Sequence, residues 1–178
     1  MKTILSIWIA LFFVSNTFCQ KATEGPVFSD MGPVFDVNNA DFIPEKGEIL
    51  KAIFDIDRKV SDHTKANPLI TSLHRYYNMH VRHGVEEEDI HLAFVVHGPS
   101  TDHVLNDESY HKKYGLNNPN TSYIKALSEK GVKMYICGQS ASYKGIKKDD
   151  LNHEVKMALS AMTVLTTFQM DGYGMIKF

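Results

Sequence analysis

The chain has 178 residues, of which 43% are hydrophobic, and its 19 basic and 21 acidic residues give a formal net charge of −2. This length suits a single domain with its own core. The net charge, and a sequence without a basic patch, give no electrostatic basis for nucleic-acid binding. Two cysteines are too few for the disulfide framework of a small secreted protein.

The first nineteen residues show the pattern of a secretory signal peptide. Lys2 supplies the positive start, residues 4–14 are almost entirely apolar, and the small residue Cys19 precedes the expected cut before Gln20. The apolar run is too short to span a bilayer comfortably. We therefore predict a chain cleaved after residue 19 that is periplasmic or secreted and has no stable membrane insertion. A retained membrane anchor and lipidation of Cys19 are the alternatives.

Residues 20–48 are predicted to lie outside the globular domain, which we assign to residues 49–178. They are rich in Gly, Pro, Asn and Asp, and residues 25–28 and 32–35 both read Gly-Pro-Val-Phe. Two interpretations fit this pattern. One is an extended arm held by the Val-Phe pair of each repeat, which could cross to a neighbouring subunit. The other is a disordered leader.

The predicted domain begins with a strand and a helix. Residues 51–57 alternate between apolar and polar, as a half-buried strand does. Asn67 then fits the N-cap of a helix whose first turn holds Pro68, and Gly84 marks the end of that helix. Residues 89–97 form a nearly continuous apolar run, which is typical of a strand covered on both faces.

A polar stretch without a predicted element follows the second strand. Asn120 or Thr121 then fits the N-cap of a helix that Gly131 ends. The pattern then predicts a third strand at residues 132–136 and a short irregular or helical piece at 140–143. A fourth strand at 155–158, a helix at 162–170 and a fifth strand at 173–178 follow.

The alternation of strands and helices predicts an α/β fold. The expected architecture is a three-layer α/β/α sandwich around a mostly parallel five-stranded sheet. Ligands of such sheets bind outside the carboxyl ends of the strands. His97 and Gly98 follow the second strand, and Cys137 and Gly138 follow the third, so we expect the two pairs to meet at that edge.

Cys137 is the leading candidate for chemistry, since removal of the signal peptide leaves it as the only cysteine. Backbone N–H groups and a following helix N-terminus would stabilise its thiolate. A neutral His97 beside it could accept its proton. The alternatives are a buried, inert cysteine and a histidine that only hydrogen-bonds at the strand end. With no second thiol, any transfer step needs another molecule.

The sequence predicts no metal site and no cofactor. Its nine histidines are scattered, and it contains neither a His-Glu-x-x-His motif nor a Cys/His cluster. It also has no glycine-rich phosphate loop and no Gly-x-Ser-x-Gly sequence for a serine nucleophile.

A further pattern is made up of short segments spread over most of the chain. They lie at residues 95–98 (Val-Val-His-Gly), 127–132, 136–140 (Ile-Cys-Gly-Gln-Ser), 145–151 and 169–173. In this order and spacing they resemble the DsrE/DsrF-like family of small α/β proteins. The resemblance implies a five-stranded sheet that assembles as trimers or hexamers. Some members pass persulfide sulfur between partner cysteines in sulfur oxidation or tRNA thiolation. The family's strand-end cysteine falls on Cys137, and its His-Gly pair falls on His97 and Gly98.

Two leading hypotheses follow from the residues and the resemblance, and metal binding by the histidines of an exported protein is a third. The first is an exported DsrE-like protein, at most a sulfurtransferase-like carrier, that holds sulfane sulfur as a persulfide on Cys137 with the help of His97. The second is a non-catalytic oligomeric module that binds a small ligand or a partner. An exported chain would not meet cytoplasmic tRNA, so the expected partners are other copies of the chain and a sulfur donor or acceptor. We expect the ligand-binding edge to be formed by Gly98, Gly138, Gln139 and Ser140.

Overall fold

The structure is a computed structural model, and it describes residues 20–178. The signal peptide predicted for residues 1–19 lies outside the described residues. Within residues 20–178 the strands are β1 (Leu50–Ile56), β2 (Ile90–Val96), β3 (Lys133–Cys137), β4 (Lys156–Ala158) and β5 (Gly174–Ile176). The α-helices there are α1 (Pro68–Arg82), α2 (Asp107–Tyr114), α3 (Thr121–Glu129), α4 (Gly138–Lys144) and α5 (Ala161–Met170). None of these helices is long and apolar enough to span a bilayer.

The strands form one sheet in the order β4-β3-β2-β1-β5. The predicted α/β fold is confirmed, and every pair of neighbouring strands is parallel. β1 and β2 pair along their whole length, from Leu50 opposite Ile90 to Ile56 opposite Val96. Because the strands run in the same direction, the carboxyl ends of β1, β2 and β3 lie along one edge of the sheet.

Helices cover both faces of the sheet. Phe54, Phe94 and Ile136 are buried on the face that carries α1, α3 and α4. On the opposite face, Val164 and Phe168 of α5 pack against the other side of the same three strands. The central strands are therefore buried on both sides, which accounts for the nearly continuous apolar sequence of β2.

Asparagine side chains organise the starts of α1 and α3. Asn67 caps α1 as predicted, since its Oδ1 accepts the backbone N–H of Leu69 at 2.9 Å. Asn120 occupies the N-cap position of α3, but its side chain does not cap that helix. Its Oδ1 instead accepts the backbone N–H of Asn67 at 2.7 Å, and its Nδ2 donates to Oδ1 of Asn118 at 2.8 Å. Asn120 therefore takes the predicted N-cap position, but its buried amide joins the two helices instead of capping α3.

The polar stretch after β2 folds into a 3-10 helix, Gly98–Val104, followed by α2. Asn106 caps α2 through its side chain, and Gly115 ends it in the left-handed conformation, with φ of 76°. Tyr110 is the buried residue of α2, and its hydroxyl donates to the carbonyl oxygen of His63 at 3.1 Å. Caps and polar tertiary contacts, such as those of Ser109 with Asp150 and of Tyr114 with Asp102, also hold this helix. Its sequence therefore does not need an apolar stripe.

Residues 20–48, which we call the arm, pack against α1 of the same chain. Phe28 and Val34 are buried, whereas Phe35 is 46% exposed. Thr23 and Val34 form an antiparallel bridge with N···O distances of 2.9 and 3.0 Å. The first Val-Phe pair thus contributes its phenylalanine to the core, and the second contributes its valine.

Two side chains of α1 hold the arm. The amide Oδ1 of Asn78 accepts backbone N–H groups from Val27 and Phe28 at 3.2 and 2.9 Å. Its Nδ2 donates to the carbonyl oxygens of Phe28, Met31 and Gly32 at 3.1, 2.9 and 2.9 Å. Arg82 donates to Oδ1 of Asp36 at 2.8 Å and to the carbonyl oxygen of Glu24. The arm therefore has a fixed position on the domain.

Candidate functional site

Cys137 ends β3 at the carboxyl edge of the sheet, on the face covered by α5. It is 6% exposed. Its sulfur receives hydrogen bonds from the backbone N–H and hydroxyl of Ser140, and from the backbone N–H groups of Ala161 and Gln139. Gln139 and Ser140 belong to the first turn of α4, and Ala161 is the first residue of α5. The sulfur therefore lies between two helix N-termini.

Two opposing effects set the pKa of the Cys137 thiol. Burial raises it, because a thiolate loses hydration in the protein interior. The hydrogen bonds from Ser140, Ala161 and Gln139 favour the thiolate, and together they hold the pKa below its ordinary value. The surroundings of the sulfur thus promote its nucleophilic form.

Gly138 and Gly98 are required at this edge for different reasons. A Cβ on the buried Gly138 would overlap the carbonyl oxygen of Ala158 at the end of β4, and it would lie 3.2 Å from that of Leu159. Gly98 has open space around it but a φ of 53°, which favours glycine. Gly138 therefore permits the close approach of β4 to α4, whereas Gly98 permits the turn after β2.

Ser140 connects these two turns. Its Oγ accepts the backbone N–H of Gly98 at 3.1 Å, which leaves the hydroxyl hydrogen available for the sulfur of Cys137. Gln139 gives the sulfur its backbone N–H, while its exposed side-chain amide lies 3.5 Å from the carbonyl oxygen of Leu159. Gly138, Gln139 and Ser140 thus lie beside the thiol, and Gly98 contacts Ser140. The part of these four residues in binding a ligand stays a prediction.

Replacing Ser140 by alanine removes the hydroxyl that hydrogen-bonds the sulfur. We expect Ser140→Ala to raise the pKa of Cys137, so that iodoacetamide alkylates the folded protein more slowly near neutral pH. The rate of alkylation as a function of pH measures this pKa. Ser142→Ala, an exposed serine of the same helix, should leave the profile unchanged. Equal profiles for both variants would show that the Ser140 hydroxyl does not affect the thiolate.

His97 lies at the same edge of the sheet, but its ring is bound to Asp55. Its Nε2 is 2.7 Å from Oδ1 of Asp55, a carboxylate whose side chain is only 6% exposed. The other carboxylate oxygen accepts from Nζ of Lys177 at 2.7 Å, and Lys177 also reaches Asp57 at 3.1 Å. The hydrogen bonds that the sulfur of Cys137 receives come from the two helix N-termini. A role for His97 as the base of Cys137 stays a prediction.

Three residues at this edge were not found from the sequence. Asp55 carried a signal, because a carboxylate inside an apolar strand requires partners when it is buried. Lys177 reaches it from 122 positions away in the chain, and no local pattern marks such a contact. Ala161 contributes only a backbone N–H, which any residue but proline could supply.

Metal ligation has no support among the residues that the structure describes. No group of three or more His, Cys, Asp or Glu side chains within residues 20–178 is placed to hold a metal ion. Two histidines instead bind carbonyl oxygens of α1: His80, within the helix, lies 2.7 Å from the carbonyl oxygen of Tyr76, and His83, its C-cap, lies 2.7 Å from that of Met79.

Exposed apolar side chains flank the elements that surround the thiol. Leu159 and Met162, which lie just before and just after the start of α5, are 72% and 75% exposed. Tyr143, near the end of α4, is 92% exposed. Large apolar side chains in such positions are typical of surfaces that contact other proteins.

The model of the DsrE/DsrF-like family matches residues 51–178. No curated protein matches the chain in sequence. A solved structure of a protein of unknown function, MTH1491 from Methanobacterium thermoautotrophicum, is similar with a TM-score of 0.54 and 16% identity, covering 71% of this chain and 97% of that one. The ychN protein from E. coli is similar with a TM-score of 0.52 and 14% identity, covering 72% and 99%. At these identities the two structures support the fold alone.

Proposed function

Since the chain belongs to the DsrE/DsrF-like family, which has a sulfur-relay-type fold, we propose that it carries sulfane sulfur as a persulfide on Cys137. The position of this thiol at the N-termini of α4 and α5, whose donors favour the thiolate, carries the proposal. These donors come from α4 and α5, so formation of the reactive sulfur depends on the folded state. An inert core cysteine would have no need of such donors.

The proposed transfer is an exchange of one sulfur atom. The Cys137 thiolate attacks the terminal sulfur of a donor R–S–SH and forms a new S–S bond, while the S–S bond of the donor breaks and R–S⁻ leaves. The proton of the terminal sulfur stays with the product, Cys137–S–SH, so no external oxidant or reductant is needed. Delivery to an acceptor thiolate is the same step in reverse.

We further propose that this carrier acts outside the cytoplasm, on the basis of the signal-peptide pattern in residues 1–19. Its partners are then a sulfur donor and an acceptor of that compartment, together with further copies of the chain in a trimer or hexamer. The exposed Leu159, Met162 and Tyr143, on or beside the helices whose N-termini surround the thiol, provide apolar surface for such contacts.

Intact-mass spectrometry before and after incubation with polysulfide tests the proposal. We expect an adduct of about 32 Da, one sulfur atom, that peptide mapping places on Cys137 and that a reductant removes. Cys137→Ala should gain no adduct under the same conditions. A matched reaction in denaturant shows whether the folded state is needed for the reaction.

The non-catalytic alternative predicts the opposite result. It is favoured by the low exposure of Cys137, which is 6%. If the folded protein gains no adduct, and the thiol is alkylated only after unfolding, Cys137 is a structural residue and the sulfur-carrier proposal fails. Cys137→Ser would then retain the physiological function of the protein.

A further inference from the structure

Two adjoining apolar cavities lie between the arm, α1 and the C-terminal strand. The first has a volume of about 310 Å³, and its walls include Val34 and Phe35 of the arm and Ile176 of β5. The second, of about 220 Å³, extends along the arm towards Phe42, Ile43 and Pro44. Val37 and Met79 line both cavities, so the two are adjacent, and together they are called the channel below.

The wall that the arm contributes is fixed in place. Asn78 holds the backbone of residues 27–32 through both polar atoms of its side chain. Arg82 donates to the carbonyl oxygen of Val34 at 3.2 Å and to Asp36 at 2.8 Å, on either side of Phe35. The arm wall of the first cavity is therefore held in place before a ligand binds, which reduces the entropy that a ligand loses on binding. The family model matches from residue 51 onward, so this wall is an addition to the family domain.

Two polar side chains of the first cavity, those of Arg75 and Tyr76, are donors without partners among residues 20–178, whereas the hydroxyl of Ser72 donates to the carbonyl oxygen of Leu69 at 2.6 Å. Among residues 20–178, the guanidinium of Arg75 makes no ion pair or hydrogen bond, whereas the arm-binding Arg82 makes several. The hydroxyl of Tyr76 also has no hydrogen-bond partner in that part of the chain, although its ring packs edge-on against Phe54 at 6.0 Å. Burial raises the pKa of Tyr76, so this hydroxyl stays protonated and can donate.

No acidic side chain lines the first cavity. An arginine fork and a phenol hydroxyl at an apolar channel are suited to a carboxylate with an apolar tail. We propose that the channel binds a straight-chain monocarboxylic acid, with its carboxylate on Arg75 and Tyr76 and its chain between the arm and α1. The first cavity alone reaches the lower end of the volumes typical of small-molecule sites, about 300 Å³.

This site is separate from the thiol. Phe54, which lines the first cavity, belongs to the face of the sheet that carries α1, whereas Cys137 lies on the face covered by α5. The inference therefore does not depend on sulfur transfer. The mass adduct on Cys137 and the binding described here can succeed or fail independently.

Isothermal titration of the purified protein with decanoate, below its micellar concentration, tests the inference. We expect saturable binding with one site per chain. Arg75→Gln should weaken it about tenfold or more, since a charge-assisted pair is lost. Arg58→Gln, at another exposed arginine that makes no ion pair and lies outside the channel, should bind as the unchanged protein does.

Two further measurements complete the test. Val37 is 51% exposed and lines both cavities, so Val37→Trp should block the channel without disturbing the core, and decanoate binding should be lost while the melting temperature is retained. Decan-1-ol should bind more weakly than decanoate, and Arg75→Gln should remove that difference. The proposal is overturned if decanoate does not saturate, if decanol binds equally well, or if both variants bind like the unchanged protein.

Discussion

Asn78→Ala is expected to release the arm from the domain. Five backbone groups of the arm lose their partner, since the amide of Asn78 accepts from two N–H groups and donates to three carbonyl oxygens. Each net hydrogen bond contributes about 1 kcal/mol, and exposure of Phe28 adds to the loss. We expect the free energy of unfolding, measured with urea, to fall by roughly 3–5 kcal/mol. Hydrogen exchange of residues 23–34 should accelerate together with this loss.

Asn78→Asp is the matched control, because it keeps the shape of the side chain and an oxygen for the N–H groups of Val27 and Phe28. The second carboxylate oxygen would face three carbonyl oxygens in place of the donating Nδ2. This repulsion raises the pKa of the introduced carboxyl in the folded state. The stability recovered on protonation is therefore fully present below the unfolded pKa and is lost as the pH rises through the folded pKa. If Asn78→Ala kept the unfolding free energy and the amide hydrogen-exchange rates of the unchanged protein, the Asn78 side chain would not hold the arm.

Gly138→Ala is expected to disturb both the sheet and the thiol. The added Cβ would overlap the carbonyl oxygen of Ala158, which is a backbone atom at the end of β4 and cannot rotate away. Either β4 or α4 must shift, at a cost of about 1–3 kcal/mol or more. The same shift moves the backbone N–H of Ala161 relative to the sulfur of Cys137. We expect a lower melting temperature and a slower alkylation of Cys137 in the remaining folded protein.

Gly98→Ala provides the comparison at the same edge. Its Cβ would meet no atom within 4 Å, so the cost comes only from the positive φ of 53°. A left-handed conformation costs an alanine about 1–2 kcal/mol. Gly98→Ala should therefore lower stability while leaving β4 and α5 in place. If Gly138→Ala kept the alkylation rate of the unchanged protein, the close approach of β4 would have no part in activating the sulfur.

Local chemistry allowed much of the fold to be predicted. Asn67 and Pro68 define the start of α1 through short-range geometry, and β2 carries the apolar sequence that a strand covered on both faces requires. α2 escaped prediction because its stability comes from caps and from the buried Tyr110 rather than from a repeated apolar stripe. The contact that the amide of Asn120 makes could not be predicted for a related reason, since its partner Asn67 is 53 positions away.

The candidate site could also be predicted only in part. Cys137 and Gly138 could be placed at the strand ends because parallel topology brings those ends together. The residues that bind Cys137 and His97 could not be predicted, because they come from distant parts of the chain. Ala161, whose backbone N–H favours the thiolate of Cys137, comes after β4, and no sequence pattern links it to that cysteine. Asp55 and His97 form their contact although they lie 42 positions apart.

The place of β1 in the sheet makes completion of the sheet depend on the C-terminal strand. β1 is the first strand described, yet its outer neighbour is β5, and Lys177 just beyond β5 meets Asp55 across 122 positions. Contacts of such sequence separation form slowly, because a long loop must close before they can stabilise anything. Until β5 arrives, one edge of β1 offers unpaired N–H and C=O groups to other chains. The C-terminal strand therefore completes the sheet and, in doing so, ends the period in which a nascent or refolding chain is most open to aggregation.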